Sequence, residues 1–342
     1  MVKISIKILL LIIIVTLVNN TLFRFLHLPF YWGNTTAKIK TEYLIKHQNN
    51  FNTVFFGTSK FYWQVNTSLF DSLTGYKTKS FNYGIDGIKE PEIFYYIDNI
   101  LDRDTNIKNV FIEAFDIGIS PDISNLNTLR LKYCFDTKSW IFTTKSIISS
   151  SYPLNDKLYS LFFYTVNYFE WLSKFDMLKD VVKEGTYTVN ITDYLGANND
   201  GFVSIEKRSP GKHLIGDSSN APSLLLKVKQ ANTELFQHPL NIPNNDAYFS
   251  SLKQEIIKIQ QKNINVFLIL EPRCNEPQLI NIIPSFIKLN QHGLAKFNLA
   301  DATIHPEFYD PDNVFDAYHL NKNGAILNTQ ELADSFTAYQ LK

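Results

Sequence analysis

The chain has 342 residues, a formal net charge of zero, and 45% hydrophobic against 19% charged side chains. That balance supplies a sizeable core and excludes an intrinsically disordered chain. No Lys/Arg run exceeds two residues, so the basic footprint of a nucleic-acid binder is missing.

In chain order, residues 8–18 (ILLLIIIVTLV) are apolar apart from Thr16, follow Lys3 and Lys7, and lead through Asn19 and Asn20 into LFRFLHLPFYW. A membrane-spanning helix needs about 20 mostly apolar residues. Residues 8–23 fall slightly short, with Phe25, Phe30, Tyr31 and Trp32 available as an interfacial belt. A cleaved signal peptide is the rival, but no small-x-small site follows Val18. The reading is therefore an uncleaved signal anchor within residues 1–28, with the body exported. Two cysteines, Cys134 and Cys274, allow neither a CxxC motif nor a metal-ligand spacing. In an exported protein they form one disulfide or stand as two buried thiols.

Residues 52–56 (NTVFF) read as a buried strand ending at Gly57, and residues 61–73 as helical. Residues 78–83 are a second strand, 90–101 a helix with Pro91 in its first turn, and 109–115 a third strand. This alternation predicts a parallel sheet with helices packed on it. A helix over 248–261, strands over 263–270 and 295–299, and a closing helix over 321–341 continue the pattern. Between Asp116 and about residue 245 it breaks. Residues 140–150, 156–175 and 177–183 look helical and aromatic-rich, while 190–222 is a Gly/Asn/Asp/Pro loop. The stretch 117–245 is expected to form a cap or insertion on an α/β domain covering 50–342.

Three short segments carry the chemistry. Ser59, in GTSK after the first strand, lies at the carboxyl edge of a parallel sheet, where ligands bind. Alone it would be an ordinary helix N-cap. Asp316 and His319, three apart before the last helix, can meet so that the carboxylate orients the imidazole toward a hydroxyl. Asn82-Tyr83-Gly84-Ile85-Asp86-Gly87 after the second strand offers backbone N–H groups to an oxyanion, or simply a turn.

The order G-x-S, N-x-G-x-x-G, D-x-x-H with the tail HLNKNGA resembles the SGNH/GDSL hydrolase superfamily over residues 50–118 and 263–342. The resemblance implies a flavodoxin-like three-layer α/β/α fold with a central parallel sheet, plus the largely helical insertion. It makes Ser59 the nucleophile, Asp316 and His319 its acid–base partners, and the N–H groups of Ser59, Gly87 and less closely Gly84 the oxyanion hole. Asn82 would contact substrate. Two departures stand out: Thr58 replaces the Asp common before the nucleophile, and the third strand ends NVFIEAFDIGIS where hydrolases carry Gly-x-Asn-Asp. Losing that asparagine donor typically costs about 10²–10³ in rate, so either Asp116, a neighbouring N–H or another group replaces it, or the activity is specialised or weak.

This gap resembles membrane-anchored members such as the alginate O-acetylation and teichoic-acid D-alanyl transfer proteins. Residues 127–133 (NTLRLKY) resemble a stretch of those relatives and nominate Arg130 and Tyr133 as substrate contacts. The resemblance implies a serine esterase or O-acyltransferase acting on a cell-surface polysaccharide or another acylated small molecule. It would be held to the membrane by its N-terminal helix, with or without a membrane-bound acyltransferase partner. A catalytically inactive glycan-binding scaffold is the alternative. No cofactor or metal is expected: Asp310, Asp312, Asp316, His305 and His319 fit no EF-hand spacing. Glu113 and Glu271 read as pairing or edge residues.

Overall fold

The computed structural model describes residues 6–8, 10, 11, 14, 18, 29–31, 33–88, 92–103, 106–115, 131, 136–150, 152–168, 190–208, 220–241 and 246–341. Five parallel strands form one sheet: β1 (Thr53–Phe56), β2 (Ser80–Asn82), β3 (Asn109–Glu113), β4 (Asn265–Leu270) and β5 (Ala295–Asn298). Their spatial order is β2-β1-β3-β4-β5. The chain steps outward from β1 to β2, then crosses back past β1 to β3 and runs on to β4 and β5. The carboxyl ends of β1 and β3 therefore flank a topological switch point, the crevice where open α/β sheets bind ligands.

All residues of β1, β2 and β3 are buried. That explains why they read as continuous apolar runs rather than as alternating patterns. On one face Phe55, Phe111 and Phe267 stack across neighbouring strands, with centroids 4.4 and 4.8 Å apart. Phe70 of α3 (Thr67–Leu73) and Phe336 of α12 (Lys322–Gln340) close onto them edge-on or tilted. On the other face Phe56 meets Tyr83, which meets Tyr96 of α4 (Glu92–Leu101). Helix α10 (Asp246–Gln260) joins α4 through Lys258–Asp98 at 2.6 Å and touches α11 (Glu276–Gln291) through Phe249 and His292. The Phe-rich composition is thus the glue between helices and sheet.

Three parts of the fold extend the sequence reading. Helix α1 (Thr35–Lys46) belongs to the folded unit, upstream of residue 50, because Lys40 is fully buried against the loop after β2. The helical stretch after Gly57 is two helices, α2 (Ser59–Gln64) and α3, because Asn66 caps α3 through the Leu69 N–H and interrupts the first. The helices α5 (Thr137–Ser149), α6 (Leu154–Tyr168), α7 (Thr192–Leu195), α8 (Ile205–Arg208) and α9 (Ala221–Gln237) lie within 117–245. Of these, α9 joins the main body. Its buried Asn232 donates to Ala300 O and Tyr309 Oη and accepts from the Ala302 N–H, each at 2.8 Å.

The described residues of the N-terminal stretch are helical, and Ile6, Ile8, Leu10, Leu11, Ile14 and Val18 are all more than half exposed. Among the described residues no helix is long and apolar enough to cross a membrane. Cys274 is a free, buried thiol, whereas Cys134, like residues 177–183, lies outside the described residues.

Candidate active site

Strand β1 ends at Phe56, and Gly57-Thr58 turn the chain into α2, whose first residue is Ser59. Thr58 is the N-cap, accepting the Lys60 N–H on its hydroxyl at 3.3 Å. Across the rim, residues 314–320 form a tight loop. Val314 and Leu320 bridge antiparallel, and the Phe315 N–H donates to His319 O at 2.9 Å. The tail of the motif explains itself locally. Asn321 caps α12 through the N–H groups of Asn323 and Gly324 and donates to Asp312 O at 2.7 Å. Gly324 is required because a Cβ there would lie 2.3 Å from Asn313 O.

These two loops bring the three predicted residues together. His319 Nε2 lies 2.9 Å from Ser59 Oγ, and His319 Nδ1 lies 2.9 and 3.1 Å from the two oxygens of Asp316. With Nδ1–H donating to the carboxylate, Nε2 accepts the serine proton. Ser59 is 9% exposed, and the His319 and Asp316 side chains are 11% and 16% exposed, so the relay is sheltered but open at one side. Burial alone would raise the Asp316 pKa. The hydrogen bond and charge of His319, with the N–H donors of Tyr318 and His319, outweigh it and hold the carboxyl below its ordinary value. Trp63 stands edge-on to His319 at 4.6 Å. Sequence reasoning passed over it, although its position four residues after Ser59 on one helix was the available signal.

The second-strand loop has a different role from the one expected of two of its residues. Asn82 is fully buried and donates to Phe61 O at 2.6 Å and Val65 O at 2.8 Å, while its Oδ1 accepts the Gly84 N–H at 2.9 Å. Asn82 therefore ties the loop to α2, and the Gly84 N–H is already engaged. Gly84 is needed for close packing, since a Cβ there would lie 2.4 Å from Tyr62 N. Gly87 sits in the exposed turn just beyond, at φ 68°. The Ile85 N–H donates to Gly57 O at 3.0 Å and fastens this loop beside the turn that carries Ser59. Asp116, Arg130 and Tyr133 lie outside the described residues.

Behind Ser59, at the ends of β3 and β4, four ionisable side chains are buried together: Lys60, Glu113, Glu271 and Arg273. Glu113 Oε2 accepts both the N–H and the hydroxyl of Thr58, at 2.8 and 2.7 Å, and its Oε1 lies 3.1 Å from Arg273. Burial and the neighbouring Glu113 push Glu271 up to about 8, against the Asn328 hydrogen bond and the charges of Arg273 and Lys60. Burial, then Arg273, pulls Lys60 down to about 8. Burial lifts the Cys274 thiol to about 12, which disqualifies it as a nucleophile at neutral pH.

Two other clusters stand apart from the triad. A groove lined by Phe94, Asp98, Lys138, Phe142, Glu255 and Lys258 is crossed by ion pairs from Lys138 to Asp98 and Glu255. His305, Glu307 and Glu331 place potential metal-ligating atoms within 4.8 Å of one another. Asp310, by contrast, is spent on the Asp312 N–H of its own turn. The chain matches no protein-family model and no curated protein sequence, so the function is read from this geometry and from the sequence motifs.

Proposed function

We propose that the protein is a serine-dependent acyl-ester hydrolase or O-acyltransferase of the SGNH type, working through an acyl-enzyme on Ser59. The observation that carries this reading is the continuous relay from Ser59 Oγ through His319 to Asp316, with contacts of 2.9–3.1 Å. A helix cap needs no imidazole, and a surface histidine needs no serine 260 residues away. In the forward step His319 Nε2 takes the Ser59 proton as Oγ attacks the acyl carbonyl, and Asp316 stabilises the resulting imidazolium. His319 then returns that proton to the leaving oxygen. Water or a sugar hydroxyl, deprotonated by the same ring, releases the acyl group and restores the serine.

Developing charge on the carbonyl oxygen falls beside the Ser59 N–H, for which no acceptor exists among the described residues. Gly87, in the adjoining loop, is the second donor of this reading. The acceptor class comes from the motif resemblance to membrane-anchored acyl-transfer proteins, which points to a cell-surface glycan. The apolar N-terminal segment, preceded by Lys3 and Lys7, would hold the domain on the outer side of the membrane.

A fluorophosphonate probe tests the chemistry directly. Wild type should label and Ser59→Ala should not. Asp316→Asn should keep its fold while losing on the order of 10⁴ in rate, because the imidazole is then held in the wrong tautomer. A folded wild type that stays unlabelled would leave the inactive glycan-binding scaffold as the reading. Acyl transfer to polysaccharide that outruns hydrolysis would separate transferase from esterase.

A further inference from the structure

The triad uses none of the buried charges behind Ser59, and they call for an explanation. Thr58 already caps α2 with its own hydroxyl, which is all that a helix N-terminus asks of it. Yet Glu113, the last residue of the central strand β3 and only 1% exposed, directs one carboxylate oxygen at both the N–H and the hydroxyl of Thr58. Its other oxygen is held by Arg273, which also reaches Ala114 O and Gln278 Oε1 at 3.4 Å each. Burying a carboxylate and a guanidinium is costly, and such a pair often adds nothing to stability over apolar side chains of similar volume. What it does supply is direction: two short bonds from a rigid strand to the residue whose neighbour carries the reacting hydroxyl.

We propose that Glu113 is a positioning residue for Ser59: braced by Arg273, its carboxylate clamps Thr58 by main chain and side chain and so fixes the turn that presents the nucleophile to His319. This rests on the serine-nucleophile reading. The Thr58 hydroxyl is used in both senses, donating to Glu113 and accepting from the Lys60 N–H. Only a hydroxyl side chain does both, so serine should substitute and valine, of the same shape, should not. Glu271 lies in the same nest but accepts from Asn328 Nδ2 at 2.7 Å, so Glu113 is the carboxyl group that meets Thr58.

The test uses the full chain and four proteins: wild type, Glu113→Gln, Thr58→Val and Thr58→Ser. In Glu113→Gln the side chain keeps an accepting oxygen but turns an amide toward Arg273, which loosens the brace. Both Glu113→Gln and Thr58→Val should react with a fluorophosphonate about 10- to 100-fold more slowly, as expected for a displaced nucleophile. KM for a small acetyl ester should stay level, and Thr58→Ser should remain within about twofold of wild type. Variants that melt like wild type yet label at its rate would overturn the proposal, as would Thr58→Ser slowing as much as Thr58→Val. If Glu113→Gln does not fold, the valine and serine pair decides alone. Amide hydrogen exchange at Thr58 and Ser59 reads the clamp without any chemistry: faster exchange in Thr58→Val supports it, and unchanged exchange overturns it. An unlabelled wild type would count against the enzyme reading and leave this exchange result standing.

Discussion

Two lysines are buried at the same rim of the sheet, and their surroundings differ in kind. Beside β2, Lys40 is fully buried, and its ammonium donates to Asn82 O at 2.9 Å and to Gly84 O and Gly201 O at 2.8 Å each. It also lies 3.6 Å above the centre of the Tyr62 ring. Every proton of that ammonium has an acceptor, and the group ties α1, the loop after β2 and residues 200–201 to one point. Beside β3 and β4, Lys60 is 5% exposed and its ammonium has no hydrogen-bond partner among the described residues. Burial, then Arg273, disfavours its charge, while Glu113, Glu271 and Asp316 favour it. One flank of Ser59 is thus a closed knot of directed bonds, and the other is a balance of charges. The first fixes shape. The second sets which groups are ionised next to Ser59.

The largest effect expected from this contrast is at Lys40. Its removal in Lys40→Met strands three buried carbonyl oxygens at once, and each unsatisfied group costs about 1–3 kcal/mol. A loss of at least about 3 kcal/mol in unfolding free energy should follow, read by denaturant titration. A loss below about 1 kcal/mol would mean that the carbonyls find other donors, and the knot would not be what holds this flank.

The sequence shows the relay because each half of it is local. Ser59 follows a recognisable strand, Asp316 and His319 are three apart, and Asn321 and Gly324 mark the next helix start. The strands were legible because Phe55, Phe111 and Phe267 belong to runs buried on both faces. What stayed hidden depends on register between distant segments. Glu113 meets Thr58 only because β1 and β3 pair with Phe56 opposite Ile112, which sets the two strand ends side by side. Lys40 and Asn232 read as ordinary helix residues until the loops they pin are folded against them. The glycine-rich loop after β2 showed its position in the sequence, but not that Asn82 consumes the Gly84 N–H.

An effect that depends on pH is expected at Glu271. Its folded pKa stands near 8 against an ordinary 4.5, so between those values the folded chain binds the proton that the unfolded chain has released. Stability then falls as pH rises through that window and levels off above it. Glu271→Gln mimics the protonated acid and retains the Asn328 contact, 2.7 Å from Glu271 Oε2 in wild type. The variant should match wild type near pH 4 and become progressively more stable toward pH 8. Parallel stability curves across that range would show that Glu271 is ionised in the fold and that the charge balance has been misjudged.

The smallest loss of stability is expected at Lys60, and it sharpens the comparison most. Its folded pKa, about 8, lies below the ordinary 10.5, so the unfolded chain binds more protons between those values. Lys60 therefore makes stability rise with pH from about 8 to 10.5, the opposite sense to Glu271 and in the adjoining window. At pH 7 the buried ammonium is a cost offset by its anionic neighbours. Its replacement in Lys60→Met should leave unfolding free energy unchanged or raise it, as for other buried ions exchanged for apolar side chains. The alkaline rise should vanish in the variant. Glu271 would lose a cation that favours its ionised form, so its midpoint should move upward. A loss at pH 7 as large as that of Lys40→Met would show that Lys60, too, is part of a directed hydrogen-bond knot, and the distinction between the two flanks of Ser59 would collapse.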